Sequence, residues 1–253
     1  MLHFFRKIRR DLLANSQFFK YLKYAVGEII LVVLGILIAL QINNWNEERK
    51  QRVEEINILK GLKKDFQSDI RDFKIGLGAY NYISTSIDHI LKSLENNETY
   101  NDSLDKYFAQ TVSWPLAVIH KNSFDALKSK GVSLISNDSL RQAILFFHGT
   151  KYTSIKNWES SSNRDIYFEE MIKRFDKVEP WKFDSPGKFS RGKMKPNNYA
   201  ALRTDTLYMS ILRTMKRDAE DLMNGRYFNV IQNLENLIID IDKEVDRLDN
   251  MTF

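Results

Sequence analysis

The side chains best suited to metal binding or acid–base catalysis are four histidines, and their spacing argues against a shared site. His3, His89, His120 and His148 lie far apart in the chain, and none belongs to a ligand pattern such as H-E-x-x-H. The chain has no cysteine, which excludes disulfide scaffolds, cysteine-ligated zinc or iron–sulfur centres and thiol nucleophiles. The sequence therefore predicts no metal site.

Carboxylate and serine runs give no catalytic pattern either. Glu169 and Glu170 are adjacent and Asp240 and Asp242 alternate, so on a helix the members of each pair point to different faces. No nucleophile elbow, phosphate-binding loop or dinucleotide fingerprint occurs. We therefore expect a protein without catalytic residues or cofactors. An envelope enzyme whose residues meet only in three dimensions is a retained alternative.

The element that decides the protein class is an uncharged stretch over residues 29–46, with the apolar run IILVVLGILIALQI at residues 29–42. About 20 apolar residues are needed to cross roughly 30 Å of hydrocarbon as a helix, and the pattern predicts a transmembrane helix at residues 24–45. A buried core helix is the first alternative, although soluble helices are seldom apolar on every face. A cleaved signal peptide is disfavoured because no small-residue cleavage site follows the run.

Several residues of the predicted span are candidates for helix packing or anchoring. Gly35 and Ala39 form a small-xxx-small pair, and Gly27 lies two turns earlier on the same face. These residues either let a second helix approach closely or reflect only how common glycine and alanine are in membrane spans. Glu28, at the inner end, either extends to the lipid headgroups or has a proton- or ion-linked role. Trp45 is placed where interfacial aromatic residues anchor a span.

Residues 1–23 form a basic tail with apolar residues interspersed. Arg6, Lys7, Arg9 and Arg10 are its main cations, and the pattern predicts contact with anionic lipid headgroups rather than nucleic acid. Lysine and arginine counts on the two sides of the span are equal, but acidic residues accompany the second set. We therefore predict a cytoplasmic amino terminus and an extracytoplasmic domain at residues 46–253.

The stretch GEIILVVLGILIALQINNWNEERK at residues 27–50, after the basic Phe-rich tail, resembles the amino-terminal signature of a family of single-span membrane proteins from the Bacteroidota, known only as a domain of unknown function. SFDALKSKG at residues 123–131, followed by Leu134, Ile135 and Asn137, resembles a shorter recurring element of that family. The resemblance implies an inner-membrane protein of a Gram-negative cell with a helical extracytoplasmic part. It supplies no activity, ligand or catalytic residue.

Beyond the span, the apolar period becomes helical. One heptad position of a long helix is occupied by Leu59, Phe66, Phe73, Tyr80, Ile87 and Leu94. A second heptad position of the same helix carries Ile56, Ile70, Leu77 and Leu91, interrupted by Lys63 and Ser84. We expect this helix to continue from the span, to kink near Gly76 and Gly78, and to end at Asn96-Asn97.

A second register closes the chain with Tyr227, Ile231, Leu234, Ile238, Ile241, Val245 and Leu248. We expect Gly225 to separate it from an upstream amphipathic helix. Antiparallel return along the first helix would bury both stripes, although each could also pack against unrelated neighbours. The predicted fold is all-α: one N-terminal transmembrane helix continuing into a long helix, with an extracytoplasmic antiparallel, coiled-coil-like helical bundle.

Shorter elements lie between these two registers. Helices are predicted at residues 102–119, with an interruption near Trp114-Pro115, and at residues 123–130, capped by Asn122 or Ser123 and stopped by Gly131. Proline and glycine predict a loop at residues 181–198. Its basic side chains either bind an acidic partner or polysaccharide or are simply solvated; they are Lys188, Arg191, Lys193 and Lys195.

These features lead to one main functional hypothesis. We expect a non-enzymatic, single-pass inner-membrane protein with a periplasmic helical bundle that serves as an interaction or scaffold module. Its expected partners are membrane lipids, a second copy bound through the span and the heptad helices, and an envelope protein, with no nucleic acid. The main alternative is a sensor that passes an envelope signal through helix displacement.

Overall fold

A computed structural model describes residues 18–161, 163–179, 182–185, 188–190 and 192–251. The predicted basic tail, with Arg6, Lys7, Arg9 and Arg10, lies outside the described residues. The chain divides into two compact units, which meet between Glu55 and Ile56. The first unit is described by the opening part of one helix, and the second contains all the other elements.

The long helix α1 runs from Phe18 to Glu95, 78 residues in all, and confirms the predicted continuity of the apolar stretch with the heptad region. It continues through Gly76 and Gly78, where a kink was expected. Gly76 instead allows close packing, because a Cβ built there would lie 2.6 Å from Cε2 of Tyr227.

The end of α1 is the one predicted at Asn96-Asn97. Asn97 adopts a left-handed backbone with φ of 56°, a conformation that asparagine tolerates better than most residues. The amides of Glu98 and Asn97 donate to the carbonyls of Ser93 and Leu94, at 3.0 and 3.3 Å. These two bonds form a Schellman motif and satisfy carbonyls that the helix end would otherwise leave unpaired.

Short helices and turns follow α1 in the second unit. The helices of this part are α2 (Asp105–Thr111), α3 (Asn122–Lys130), α4 (Asp138–Phe146), α5 (Tyr152–Ser161) and α6 (Arg164–Ile172). A π-helical turn, Phe147–Lys151, joins α4 to α5. Gly131 follows α3 with φ of 98°, which confirms its predicted role as a helix stop.

The remaining helices return along α1. They are α7 (Tyr199–Leu202), α8 (Thr206–Asp221) and α9 (Phe228–Asn250). A π-helical turn, Leu222–Tyr227, contains Gly225 and joins α8 to α9, so Gly225 lies between the two helices as predicted, but the chain stays helical through it. A helical glycine costs only about 1 kcal/mol, and the apolar faces on both sides of the turn offset that cost.

The core forms where α1 and α9 pack against each other. All six residues of the first heptad stripe of α1 are buried, as are six of the seven in the α9 stripe, with Ile238 partly buried. Ion pairs between the two helices show an antiparallel arrangement, because residue numbers rise along α1 as they fall along α9: Lys60–Asp249, Lys63–Asp242 and Lys74–Glu235. The predicted return is therefore confirmed.

The predicted loop at residues 181–198 is corrected by the structure. Its described residues include three short strands, β2 (Lys182–Ser185), β3 (Lys188–Ser190) and β4 (Lys193–Pro196), and a further strand, β1 (Phe175–Glu179), precedes it. β1 pairs with β4 and β2 with β3, both antiparallel. In β4 the exposed Lys193 and Lys195 alternate with the buried Met194 and Pro196. This period of two is typical of a half-buried strand.

Candidate functional site

The first feature with functional consequences is the apolar part of α1. The window that meets the criterion for a membrane span has a mean hydropathy of 2.6, and none of it is buried inside the protein. Apart from the neighbouring residues and the local helix backbone, no described atom lies within 4 Å of where a Cβ would sit at Gly27 or Gly35. Ala39 and Trp45 are exposed, and Glu28 is partly buried. Helix packing and anchoring by these five residues stay predictions.

The second feature is the segment of residues 113–121, called here the 113–121 segment. α2 ends at Thr111, whereas a helix was predicted over residues 102–119 with an interruption near Trp114-Pro115; no helix resumes after that interruption within the segment. Pro115 explains the difference, because it lacks an amide donor and disfavours helical geometry at Trp114. The segment, which lies wholly within the described residues, forms neither helix nor strand and runs without a turn.

Asp69 of α1 holds one end of this segment. Its side chain is fully buried, and Oδ1 accepts hydrogen bonds from the His120 amide at 2.8 Å and from His120 Nδ1 at 2.7 Å. Oδ2 accepts a hydrogen bond from the Tyr152 hydroxyl. Burial raises the pKa of Asp69, although the hydrogen bonds from Tyr152 and His120 act in the opposite direction.

Glu159 of α5 holds the middle of the segment in the same way. Its buried Oε1 accepts hydrogen bonds from the Ala117 amide at 2.9 Å and from the Tyr227 hydroxyl at 2.7 Å. Lys156 donates to the Ala117 carbonyl, and Tyr80 donates to the Pro115 carbonyl at 2.7 Å. Burial raises the pKa of both Tyr80 and Tyr227, so each hydroxyl keeps its proton and donates.

Asp65 extends this arrangement to the start of α3. Its Oδ2 accepts a hydrogen bond from the Ser123 amide at 2.8 Å, in the first turn of that helix. A cap from Asn122 or Ser123 was expected, but a carboxylate from α1 bonds the first-turn amide. Three carboxylates therefore bind three backbone amides, at Ala117, His120 and Ser123, and fix the path of the segment.

The pairing of Asp69 with His120 has the form of an acid–base dyad. A buried carboxylate bonded to Nδ1 fixes the orientation of the imidazole, and Nε2 is then the ring nitrogen that does not contact the carboxylate. No hydroxyl of the described residues other than that of Tyr152 takes part in this arrangement, and Tyr152 donates to Asp69 rather than to His120. The geometry therefore supports a role in positioning the 113–121 segment.

A second buried histidine, His148, lies in the π-helical turn before α5. Its ring stacks on Phe124 with centroids 3.8 Å apart and packs against Tyr152 at 5.2 Å. Neither ring nitrogen has a hydrogen-bond partner in the described residues. Burial lowers the pKa of His148 to about 4, so the folded protein holds it neutral.

The predicted basic cluster is only partly described. Lys193 and Lys195 lie on the exposed side of β4, and Lys188 lies in β3. Arg191 lies outside the described residues. Nothing in these positions tests whether the four cations bind a partner, and that role stays a prediction.

Asp65, Asp69 and His120 were not identified from sequence, although a signal was present. Asp65, Asp69 and Asp72 follow a spacing of four and three, so they share one helix face beside Phe66 and Phe73. Acidic residues next to a core stripe require buried donors. Within the described residues, no group of three or more histidine or acidic side chains has the arrangement of a metal site.

Comparison with known proteins gives one match. The model of a family described as a family of unknown function (DUF6090) matches residues 28–164, more than half of the chain. The matched residues contain most of the apolar helix, the 113–121 segment and the three carboxylates that hold it. No curated protein and no solved structure matches the chain.

Proposed function

The chain belongs to the family of unknown function DUF6090, and we propose that it is a single-pass inner-membrane protein whose helical domain is a non-enzymatic interaction module outside the cytoplasm. The family supplies no activity, so the proposal rests on this chain's own residues. Placement in a Gram-negative envelope follows the sequence resemblance of residues 27–50.

The observation that carries the proposal is the exposure of the apolar helix on all its faces. From residue 29 to residue 45 every side chain is exposed, and none is charged. Apolar surface of this extent is unfavourable in water, and a soluble amphipathic helix would bury one stripe and expose charge on the other. A lipid bilayer satisfies this helix because all its backbone groups are bonded internally.

The charge of residues 1–23 supports the proposed orientation in the membrane and the proposed contact with lipids. The cations of residues 1–23 suit the anionic inner leaflet, and moving them across would oppose the membrane potential by about 2.3 kcal/mol per charge per 100 mV. The expected partners are lipids, a second copy bound through the span and the heptad helices, and an envelope protein, with no nucleic acid. For the second unit, the proposal assigns Asp69 and His120 to positioning rather than to catalysis.

Engineered thiols test the topology cleanly, because the chain has no natural cysteine. We expect Asn236→Cys, at an exposed position of α9, to react with a membrane-impermeant maleimide in cells with a permeabilised outer membrane. Asn15→Cys should react only after lysis. The reverse labelling pattern would overturn the orientation, and release of the full-length protein by alkaline carbonate would overturn membrane anchoring.

A sensor is the second candidate function, and the continuity of α1 favours it. One helix carries both the apolar stretch and the core residues of the second unit, so a change in packing has a direct route along it. A spin label on Asn15→Cys in lipid nanodiscs separates the candidates. A sensor predicts a spectrum that changes when Asp69→Ala loosens the core, whereas an interaction module predicts an unchanged spectrum.

A further inference from the structure

The outer side of the 113–121 segment has the surface of an unpaired strand. Leu116 and Val118 are 65% and 56% exposed, whereas Ala117 between them is 7% exposed. Alternating exposure is what an extended chain produces, since its successive side chains point to opposite sides. Two apolar side chains therefore face solvent on a segment whose intervening residue is fixed in the core.

The backbone of the same residues shows which edge is open. The N–H and the C=O of Ala117 are both bonded to α5, through Glu159 and Lys156. In an extended chain, the N–H and C=O of adjacent residues point to opposite edges. The N–H and C=O groups of Leu116 and Val118 form no hydrogen bond with any described residue. An edge of this kind accepts a further strand.

The segment is held rigid before any partner arrives. Tyr80 bonds the carbonyl of Pro115, Glu159 bonds the amide of Ala117, and Asp69 bonds the amide of His120. A partner therefore loses its own conformational freedom on binding but does not have to order this edge, which favours affinity. The open edge is also short, which limits its pairing with other copies of itself.

Charge indicates what kind of strand fits. The guanidinium of Arg164 lies 4.7 Å from the ring of Trp114, Lys156 lies at the carbonyl of Ala117, and Lys121 is exposed at the far end. Asp69 and Glu159 are buried and bonded to the backbone of the segment, and Asp72, whose side chain is 35% exposed, lies 4.0 Å from His120 Nδ1 near the far end. Arg164 lies against the Trp114 ring with its Nε and Nη1 buried, so the exposed cations at the segment are Lys121 and Lys156, whose side chain is 47% exposed. Together with Leu116 and Val118, these two cations complement a strand that carries both acidic and apolar side chains.

We propose that the 113–121 segment is a docking edge that binds an extended acidic peptide of a partner protein by strand addition, through the backbone groups of Leu116 and Val118. This inference rests on the proposed interaction function and names its surface and the chemistry of its partner.

The test selects binders from a library of random nine-residue peptides on the full-length protein in lipid nanodiscs. We expect the selected peptides to be acidic, with apolar residues at alternate positions. Binding should slow hydrogen exchange at the amides of Leu116 and Val118 at least tenfold. Val118→Pro should weaken binding at least tenfold, because it removes an N–H that makes no internal bond. Val118→Thr keeps that N–H and is the matched control, with an affinity within threefold of the wild type.

Several outcomes would overturn the docking edge. They are equal binding by wild type and Val118→Pro, selection of basic or helical peptides, unchanged exchange at both amides, and failure to select any binder. Dimerisation of the free protein that Val118→Pro abolishes would assign the edge to a second copy instead. Release of the protein by carbonate would end the proposed membrane function while leaving the exchange result unaffected, so the two failures are distinguishable.

Discussion

Two stretches of the same helix, α1, have opposite surroundings. Residues 29–45 carry no charge and are exposed around the whole circumference, whereas residues 56–94 bury most of their large apolar side chains in stripes along one side. Both are continuous helix with similar local geometry. The difference shows that the angular distribution of apolar residues, rather than helix propensity, decides whether a stretch packs against the rest of the protein.

Charge placed in the apolar stretch should give the largest effect. We expect Leu34→Arg combined with Leu37→Arg to prevent stable insertion, since each arginine near the centre of a span costs about 3 kcal/mol. The carbonate-resistant fraction of the protein measures this effect. Leu34→Ala with Leu37→Ala is the control and should remain in the membrane. Equal membrane retention of the arginine and alanine variants would contradict the distinction between the two stretches.

A cavity in the buried stretch should act on folding and leave anchoring intact. Phe73 is buried and meets Tyr227 edge to face, with ring centroids 4.8 Å apart. We expect Phe73→Ala to lower the free energy of unfolding of the second unit by about 3–5 kcal/mol, by denaturant titration in nanodiscs. Ile75→Ala, at a position 72% exposed, should change it by less than about 0.5 kcal/mol. Similar losses in both variants would show that the stripe is not the core.

Loss of a buried carboxylate tests the polar side of the same stretch. Asp69→Ala leaves the His120 amide, His120 Nδ1 and the Tyr152 hydroxyl without their acceptor. We expect a destabilisation of about 3 kcal/mol and faster hydrogen exchange at the His120 amide. Asp72→Ala, one turn further along and half-buried, is the control with a smaller effect. Unchanged exchange at His120 would remove Asp69 from the positioning role.

The smallest effect expected is a pH dependence from His148, which packs on the buried stretch through Phe66. Its pKa is about 4 in the folded protein and about 6.5 when unfolded, so the unfolded state binds the proton more tightly. The contribution of neutral His148 to the free energy of unfolding is therefore fully present above pH 6.5 and is lost as the pH falls towards 4. Between pH 7 and pH 5 the loss is about 2 kcal/mol.

His148→Phe isolates this contribution from those of the charged groups around it, Asp65, Lys121, Asp125 and Lys128. The difference in the free energy of unfolding between wild type and His148→Phe should change by about 2 kcal/mol between pH 7 and pH 5. A difference that is constant with pH would show that His148 is accessible to water in the folded state.

The sequence was sufficient to predict the features that depend on the periodic spacing of apolar residues. The two heptad stripes, the end of α1 and the antiparallel return were all predictable, because long helices that bury one face repeat every seven residues. The strands at residues 182–196 were missed, since the short K-M-K-P alternation was outweighed by neighbouring proline and glycine. Gly225 was predicted as the boundary between two helices, but the helical continuity of the junction was not predicted, because tertiary packing overrides the helix propensity of a single glycine.

The buried carboxylates were beyond reach for a different reason. Asp69 meets His120 and Tyr152 only after α1, the 113–121 segment and α5 have packed together, and these residues are separated by 51 and 83 positions in the chain. The spacing of Asp65, Asp69 and Asp72 carries a signal that these acids share a helix face beside the core stripe. It did not identify the amides that they bind.

The contact between Tyr227 and Gly76 restricts how α1 and α9 can move relative to each other. The Tyr227 ring occupies space that is open only because residue 76 has no side chain. Asp72 and Tyr80 lie one helical turn before and after Gly76 along α1. A piston stroke of one turn, about 5.4 Å, would drive the ring into one of these side chains. While the core stays closed, Tyr227 therefore opposes a slide of α1 past α9 by a full turn and limits axial movement between the two helices to shorter strokes.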